Sequence, residues 1–278
     1  MENNLSLQIN KAIRRYEAVT VGALTLYPVK VRDFETFQLA RPALEAMQQS
    51  LPVRLMSVPI LQAFYELDYE AVVKGEPITG LLSSALLGLA LALRLGESLD
   101  ADTRIKQFAI RVDPNDHSRL KSVSALLNGE EMIDITPIQY AKLRPVIAAQ
   151  NGVRLYGDEA NPELVKAERD IAELNGVKLD VTLDQTISSV CALTGADEVE
   201  IDDWPILKLQ KRAESIQRAL DYLVCGIGGV MGGFGKGGNP VPHPFYERTE
   251  KASVHMALGD FANGAGERAV ANAGQKTV

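Results

Sequence analysis

A lysine set among glycines is a residue pattern that can cradle phosphate, and the chain carries one in "GGFGKGGNPVPHPFYER", Gly232 to Arg248. Nucleotide chemistry of the P-loop kind needs G-x-x-x-x-G-K-[ST], in which the first glycine makes the turn and the hydroxyl holds Mg²⁺. Read back from Gly235-Lys236, the first-glycine position is Val230 and the hydroxyl position is Gly237. A literal G-x-G-x-x-G also occurs, at Gly233, Gly235 and Gly238. It follows a predicted helix and runs into Asn239-Pro240, whereas a dinucleotide site needs a strand before it and a helix N-terminus after it to receive the phosphate. Neither phosphate chemistry is expected, and no cofactor is assigned.

The same residues suit a different purpose. Glycines lack the steric restriction of other residues, so 226–238 reads as a hinge or tether. Beyond it, Pro240, Pro242 and Pro244 bias their neighbours to extended or polyproline geometry, which loses little entropy when it is bound. Phe245 and Tyr246 are anchors on this arm and Arg248 closes it. The arm has two readings with equal physical support: it docks on a partner, or it folds back and Phe245 fills a pocket of its own domain. From Glu250 onward few large apolar side chains remain, and a disordered tail is expected.

Metal and acid–base chemistry find weaker signals. Asp197, Glu198, Glu200, Asp202 and Asp203 lack the glycine and the terminal glutamate of a calcium loop. Asp202 and Asp203 precede Pro205 and a long predicted helix, so they are expected to cap it, with Trp204 packed at its start. His117, His243 and His255 have no nucleophile motif beside them, and "HSRLK" at His117 reads as a solvated loop. Ser188-Ser189 sits in a helical pattern without the G-x-S-x-G elbow. Cys191 and Cys225 are far apart, which predicts two buried thiols in a reducing compartment. No catalytic residue, metal ligand or cofactor ligand is assigned.

A net charge of −7 lacks the basic footprint of a general nucleic-acid binder. The N-terminus has no apolar secretory region, and the uncharged run from Pro77 to Leu93 falls short of the roughly 20 apolar residues of a membrane span. Its leucines occur at every helical angle, so it reads as a core helix buried on all sides.

Positioning elements follow from pattern and punctuation. "TVGALTLYPVKV", Thr20 to Val31, alternates around Gly22 and reads as an edge strand or hairpin, because Pro28 cannot donate to a ladder. Asp33 is expected to cap the helix "FETFQLARPALEAMQQ", bent or divided at Pro42, and a second helix covers Pro59 to Val73. Ile105–Val112 and Leu120–Ile135 look extended, with Asn128-Gly129 suited to a tight hairpin turn. Helices open at Thr136-Pro137 and Asn161-Pro162 and close at Asn151-Gly152 and Asn175-Gly176. Another runs from Leu183 to Leu193, and the longest from about Pro205 to Cys225. That helix carries Ile206, Leu209, Ala213, Ile216, Leu220, Leu223 and Ile227 at alternating spacings of 3 and 4, an a/d seam. Such a seam packs on the chain's own core or zips onto a second subunit or a client helix.

The expectation is an α+β fold, predominantly α-helical, with a small antiparallel β component and a flexible C-terminal arm. Residues 1–18 form an N-terminal arm, 19–225 a helix-rich body with a sub-boundary near 152, and 226–278 the hinge, arm and tail.

"LTLYPVKVRDF", "NGVRLYGDEANPELVKAERDI", "EIDDW" and "GNPVPHPFYER" together resemble the tail assembly chaperones of long-tailed bacteriophages and prophages, over roughly Val19 to Arg248. The resemblance implies a non-enzymatic role in the bacterial host cytoplasm. Its partners would be the helical tape-measure protein and the tail-tube protein, and the chaperone would leave before the virion is complete. Independently of that likeness, the residues assigned to partner binding or self-association are Ile216, Leu220 and Leu223 on the seam, and Pro240, Pro242, Phe245, Tyr246 and Arg248 on the arm. Two rivals stay open: a structural tail or baseplate component, and an enzyme that uses scattered residues.

Overall fold

The alternation in "VTVGALTL" becomes a hairpin, with β1 (Val19–Val21) antiparallel to β2 (Leu24–Leu26) and Thr20 opposite Thr25. Gly22 sits at φ +64°, the left-handed conformation that a two-residue connection asks for. This computed structural model describes residues 6–97, 99–127, 131–155, 161–167 and 182–230. The architecture is α+β and predominantly helical, with one two-stranded and one three-stranded antiparallel sheet among the described residues. The chain divides into two compact units, Met1–Ala213 and Glu214–Val278.

In the first unit, α1 (Leu7–Arg14) lies within the segment expected as an N-terminal arm, and Ile9, Ala12 and Ile13 pack on the core. The hairpin leads into α2 (Phe34–Glu45), α3 (Ile60–Lys74) and α4 (Leu81–Ala92). α4 is the core helix anticipated from its leucines. Leu82 and every residue from Ala85 to Ala92 are buried, against α2, α3, α5 (Ala101–Ile105) and α6 (Pro137–Gln150). Where α4 faces α2, a β-carbon on Gly88 would lie 3.7 Å from Ala40 Cβ, an ordinary contact.

β3 (Ala109–Asp113), β4 (Asp116–Leu127) and β5 (Glu131–Ile135) form a meander. Its inner face places Val123 opposite Ile135 and Ala125 opposite Ile133, all four buried. β5 pairs with β4 only over Val123–Leu127. Lower down, Gln62 of α3 substitutes for a strand: its Oε1 accepts from Leu120 N at 2.7 Å and its Nε2 donates to Ser118 O at 3.1 Å. The hairpin turn expected at Asn128-Gly129 lies outside the described residues.

α6 starts as its Thr-Pro signature predicts, with Pro137 in the first turn and a reciprocal capping box between Thr136 and Gln139. A helix α7 covers 162–167, and its expected close at Asn175-Gly176 lies outside the described residues. Then follow α8 (Leu183–Thr194), capped by Thr182 and closed by Gly195 at φ +72°, the short α9 (Glu198–Asp202) and α10 (Ile206–Val230).

Several sequence expectations give way to tertiary partners. Asp33 makes no cap bond on α2, because its carboxylate accepts from the buried Arg104 at 2.7 Å. α2 ends at Glu45, three residues after Pro42, and Gln48–Ser50 form a separate 3-10 turn. Ile105 ends a helix rather than opening a strand, and "HSRLK" belongs to β4 rather than to a loop. Cys191 is half-buried, not buried. The side chain of Cys225, the arm and the tail lie outside the described residues.

The segment 27–31, which turns into a 3-10 helix at Val31, ties the first unit together. Tyr27 N donates to Ala92 O at the end of α4, Val29 N to Asn151 Oδ1 at the end of α6, and Val31 N to Trp204 O. Val29 O in turn accepts from Ile206 N, at the start of α10. Asn151 is 1% exposed and its Nδ2 also donates to Ile147 O. Asn151→Ala strands the buried Val29 N–H and should lower the unfolding free energy by about 1–3 kcal/mol, measured by urea denaturation. Gly88→Ala should act in the opposite sense. It removes a glycine from a helix interior where the new methyl has room, a gain of up to about 1 kcal/mol in the same assay. A loss there would mean that α2 and α4 are packed too tightly to admit a methyl.

Candidate partner-binding surface

The seam that suggested partner binding divides along α10. Ile206 and Leu209 are 1% and 3% exposed, whereas Leu220 and Leu223 are 42% and 56% exposed. Ile216 is half-buried, and Tyr222 beside the seam is exposed. A narrow apolar row leaves the core residues behind and continues as an open face with the same spacing. Glu214 and Arg218, and Gln217 and Asp221, pair at i,i+4 along the same stretch of helix. Pro240, Pro242, Phe245, Tyr246 and Arg248 lie outside the described residues, so the structure does not bring the two candidate regions together.

The start of α10 is fixed by chemistry that the sequence misassigned. Asp202 and Asp203 do not cap it. Asp202 ends α9, whose cap is Asp197, with its carboxylate accepting from Val199 N at 2.9 Å. Asp203 accepts from Lys30 Nζ at 2.8 Å and lies 3.4 Å from Arg32 Nη1. Chain direction explains the difference. Lys30 and Pro205 form an antiparallel bridge that brings two cations to the aspartate, a juxtaposition invisible over so long a sequence separation. Trp204 packs at the helix start as anticipated, with Nε1 donating to Glu200 Oε1 at 3.1 Å and Lys208 Nζ 3.5 Å from its ring centroid. Partial burial and the neighbouring Arg212 depress the Lys208 ammonium, while Glu200 opposes that shift.

The concavities of the first unit include three that each join separate elements. One, of about 760 Å³, lies between the start of α3, the β3–β4 turn and the start of α6, and combines Glu66, Asp113 and Asp116 with Arg119 and Lys121. A second, of about 460 Å³, runs along α2 beside Arg41 and Glu45. The third, of about 410 Å³, lies where α1 and α6 end against α10. Sequence reasoning found none of them, since each joins residues from separate elements.

Among the described residues no group of three or more His, Cys, Asp and Glu side chains is placed to hold a metal ion. His117 sits on β4, where its carbonyl accepts from Tyr65 Oη at 2.8 Å. Burial pushes the Tyr140 phenol up to about 12, so it stays protonated in the core. Burial, with Glu198 and Asp197 nearby, raises the Cys191 thiol, which works against thiolate chemistry. Among the described residues, no helix is long and apolar enough to cross a membrane.

No protein-family model, curated protein or solved structure matches the chain.

The hydrogen bond and charge of Lys30, with help from Arg32, hold Asp203 below the usual aspartate range. A depressed folded-state value stabilises the fold above the unfolded pKa of about 3.9 and is lost as pH falls through the folded value. Asp203→Asn should therefore be less stable than the parent at pH 7, with the gap closing as the pH falls below the unfolded value. The gap at pH 7 should narrow in high salt, because the pair is exposed. Thermal melts of the two proteins across that range check both statements.

Proposed function

We propose that this protein is a tail assembly chaperone of a long-tailed phage or prophage. It works in the bacterial cytoplasm, holding the tape-measure protein and helping to recruit tail-tube subunits around it. The observation that carries the reading is the divided seam of α10. Its first residues are buried, while Leu220 and Leu223 present a continuation at coiled-coil spacing. A long helical client offers ridges of that spacing, and exposed leucines on a regular helix are the natural match for it. The resemblance of "LTLYPVKVRDF", "EIDDW" and "GNPVPHPFYER" to such chaperones supplies the identity of the client.

In this scheme the chaperone shields an aggregation-prone helix until tube subunits replace it. That requires a moderate apolar surface, not an enzyme's cleft. In the same scheme Pro240, Pro242, Phe245, Tyr246 and Arg248 would supply a second contact, with Phe245 and Tyr246 as its anchors.

Co-purification with the tape-measure protein of the same gene cluster tests the reading. Wild type should retain the client, and Leu220→Glu with Leu223→Glu should weaken retention about tenfold or more, since two charges then face an apolar helix. Both positions are exposed, so the unfolding midpoint should stay within about 0.5 kcal/mol of wild type. Undiminished retention by the double variant would remove the seam from the mechanism. Persistence of the protein in purified virions would favour a structural tail component instead.

A further inference from the structure

The open stretch of α10 lacks charge where a paired helix uses charge to choose its partner. Ile216, Leu220 and Leu223 keep the seam spacing, and the positions flanking the seam between Ile216 and Leu220 are Gln217 and Ala219. In paired helices those flanks carry the charged residues that attract one sequence and repel another. Neither residue here is charged. The charges of the stretch are engaged within their own helix. Arg218 Nη2 lies 3.4 Å from Glu214 Oε2, and Asp221 Oδ1 accepts from Gln217 Nε2 at 2.7 Å.

A seam of this composition is complementary to itself. With two copies parallel, Ile216, Leu220 and Leu223 each meet their own counterpart; with them antiparallel, Ile216 meets Leu220. In neither direction do Gln217 and Ala219 bring two like charges together, so nothing at these flanks rejects an identical chain. Leu220, Tyr222 and Leu223 are 42%, 44% and 56% exposed, so pairing withdraws apolar surface from water in both copies at once. The contact is small. An apolar row of about two turns presents far less than the roughly 800 Å² per partner of a standard interface, which makes the pair weak and exchangeable.

We propose that, without a client, the α10 seam pairs with the same seam of a second copy of this chain, and that the client helix displaces that copy. The homodimer is the resting form of the surface. It covers leucines that otherwise stand in water, and a client helix that engages more turns outcompetes so small a contact by mass action. Displacement rests on the client reading above, whereas self-pairing rests on the composition of the seam alone.

Sedimentation velocity of the full chain by itself tests the self-pairing. Wild type should pass from monomer to dimer with a midpoint at about 10–100 µM, a weak association in keeping with the small contact. Leu220→Glu with Leu223→Glu should stay monomeric across that range, because each half of the pair would then bury two like charges. Leu220→Ala is the milder change and carries the test should the double variant lose its fold. It should raise the midpoint about tenfold or more, since both copies lose the same side chain. Adding a helical segment of the tape-measure protein from the same gene cluster should convert wild-type dimers into one-to-one complexes. Wild type that remains monomeric up to about 1 mM overturns the proposal, as does a dimer indifferent to both leucine variants. Client binding that leaves the dimer intact overturns displacement. Leucine-dependent dimers with no client retention would sink the client reading and leave the homodimer standing; retention without dimers would do the reverse.

Discussion

Five residues, Tyr27 to Val31, organise the first unit, because their backbone groups are withdrawn from water and must find partners elsewhere. Val29 and Val31 are 2% and 1% exposed. Their N–H groups and that of Tyr27 reach the ends of α4 and α6 and Trp204, two residues before α10, while the Val29 carbonyl receives the first amide of α10. Pro28 has no amide to satisfy, which suits a segment whose donors must all be used. The ends of helices from distant parts of the sequence are thereby held at one place. Asn151 is the one side chain in that set, and it does for Val29 what a neighbouring strand would do.

Around this junction the apolar helix α4 imposes the second constraint. A helix with leucines at every angle cannot leave any side in water, so it must be enclosed. α2, α3, α5 and α6 provide the enclosure, and small residues allow it: Gly88 faces Ala40, and both helices are alanine-rich where they meet. The meander is then attached from outside by α3, with Gln62 satisfying the lower edge of β4 where β5 has already turned into α6.

Charge is used in the same economical way. Arg104, 3% exposed, spends its guanidinium on Asp33 and on the carbonyls of Leu99 and Glu97, so a chain segment is anchored with its donors satisfied. Arg144 donates to the carbonyls of Ala43, Leu44 and Ala46, closing the C-terminus of α2 from another helix. Asp203 ties Lys30 and Arg32 at the junction. The polar work in this molecule is largely structural. Among the described residues, the later seam residues of α10, Leu220 and Leu223, stay exposed.

Local signals were sufficient wherever a structure depends on near neighbours. The Thr136-Pro137 and Gly195 helix limits, the Gly22 hairpin, the buried character of α4 and the packing of Trp204 were legible because capping, left-handed turns and periodicity act over a few residues. The seam of α10 was legible as a spacing, but spacing alone could not say where burial stops; that depended on how far the first unit's core extends along the helix. The aspartates show the limit most clearly. Asp33 and Asp203 each precede a helix and look like caps, yet each meets arginine or lysine from far away in sequence, and a charged partner outweighs a cap hydrogen bond. Gln62, Asn151 and the three concavities carried no sequence signal, since their roles arise only when separate elements are brought together. Residue type and short spacing determined the elements and their ends, while long-range pairing of buried polar groups decided how each polar side chain is used.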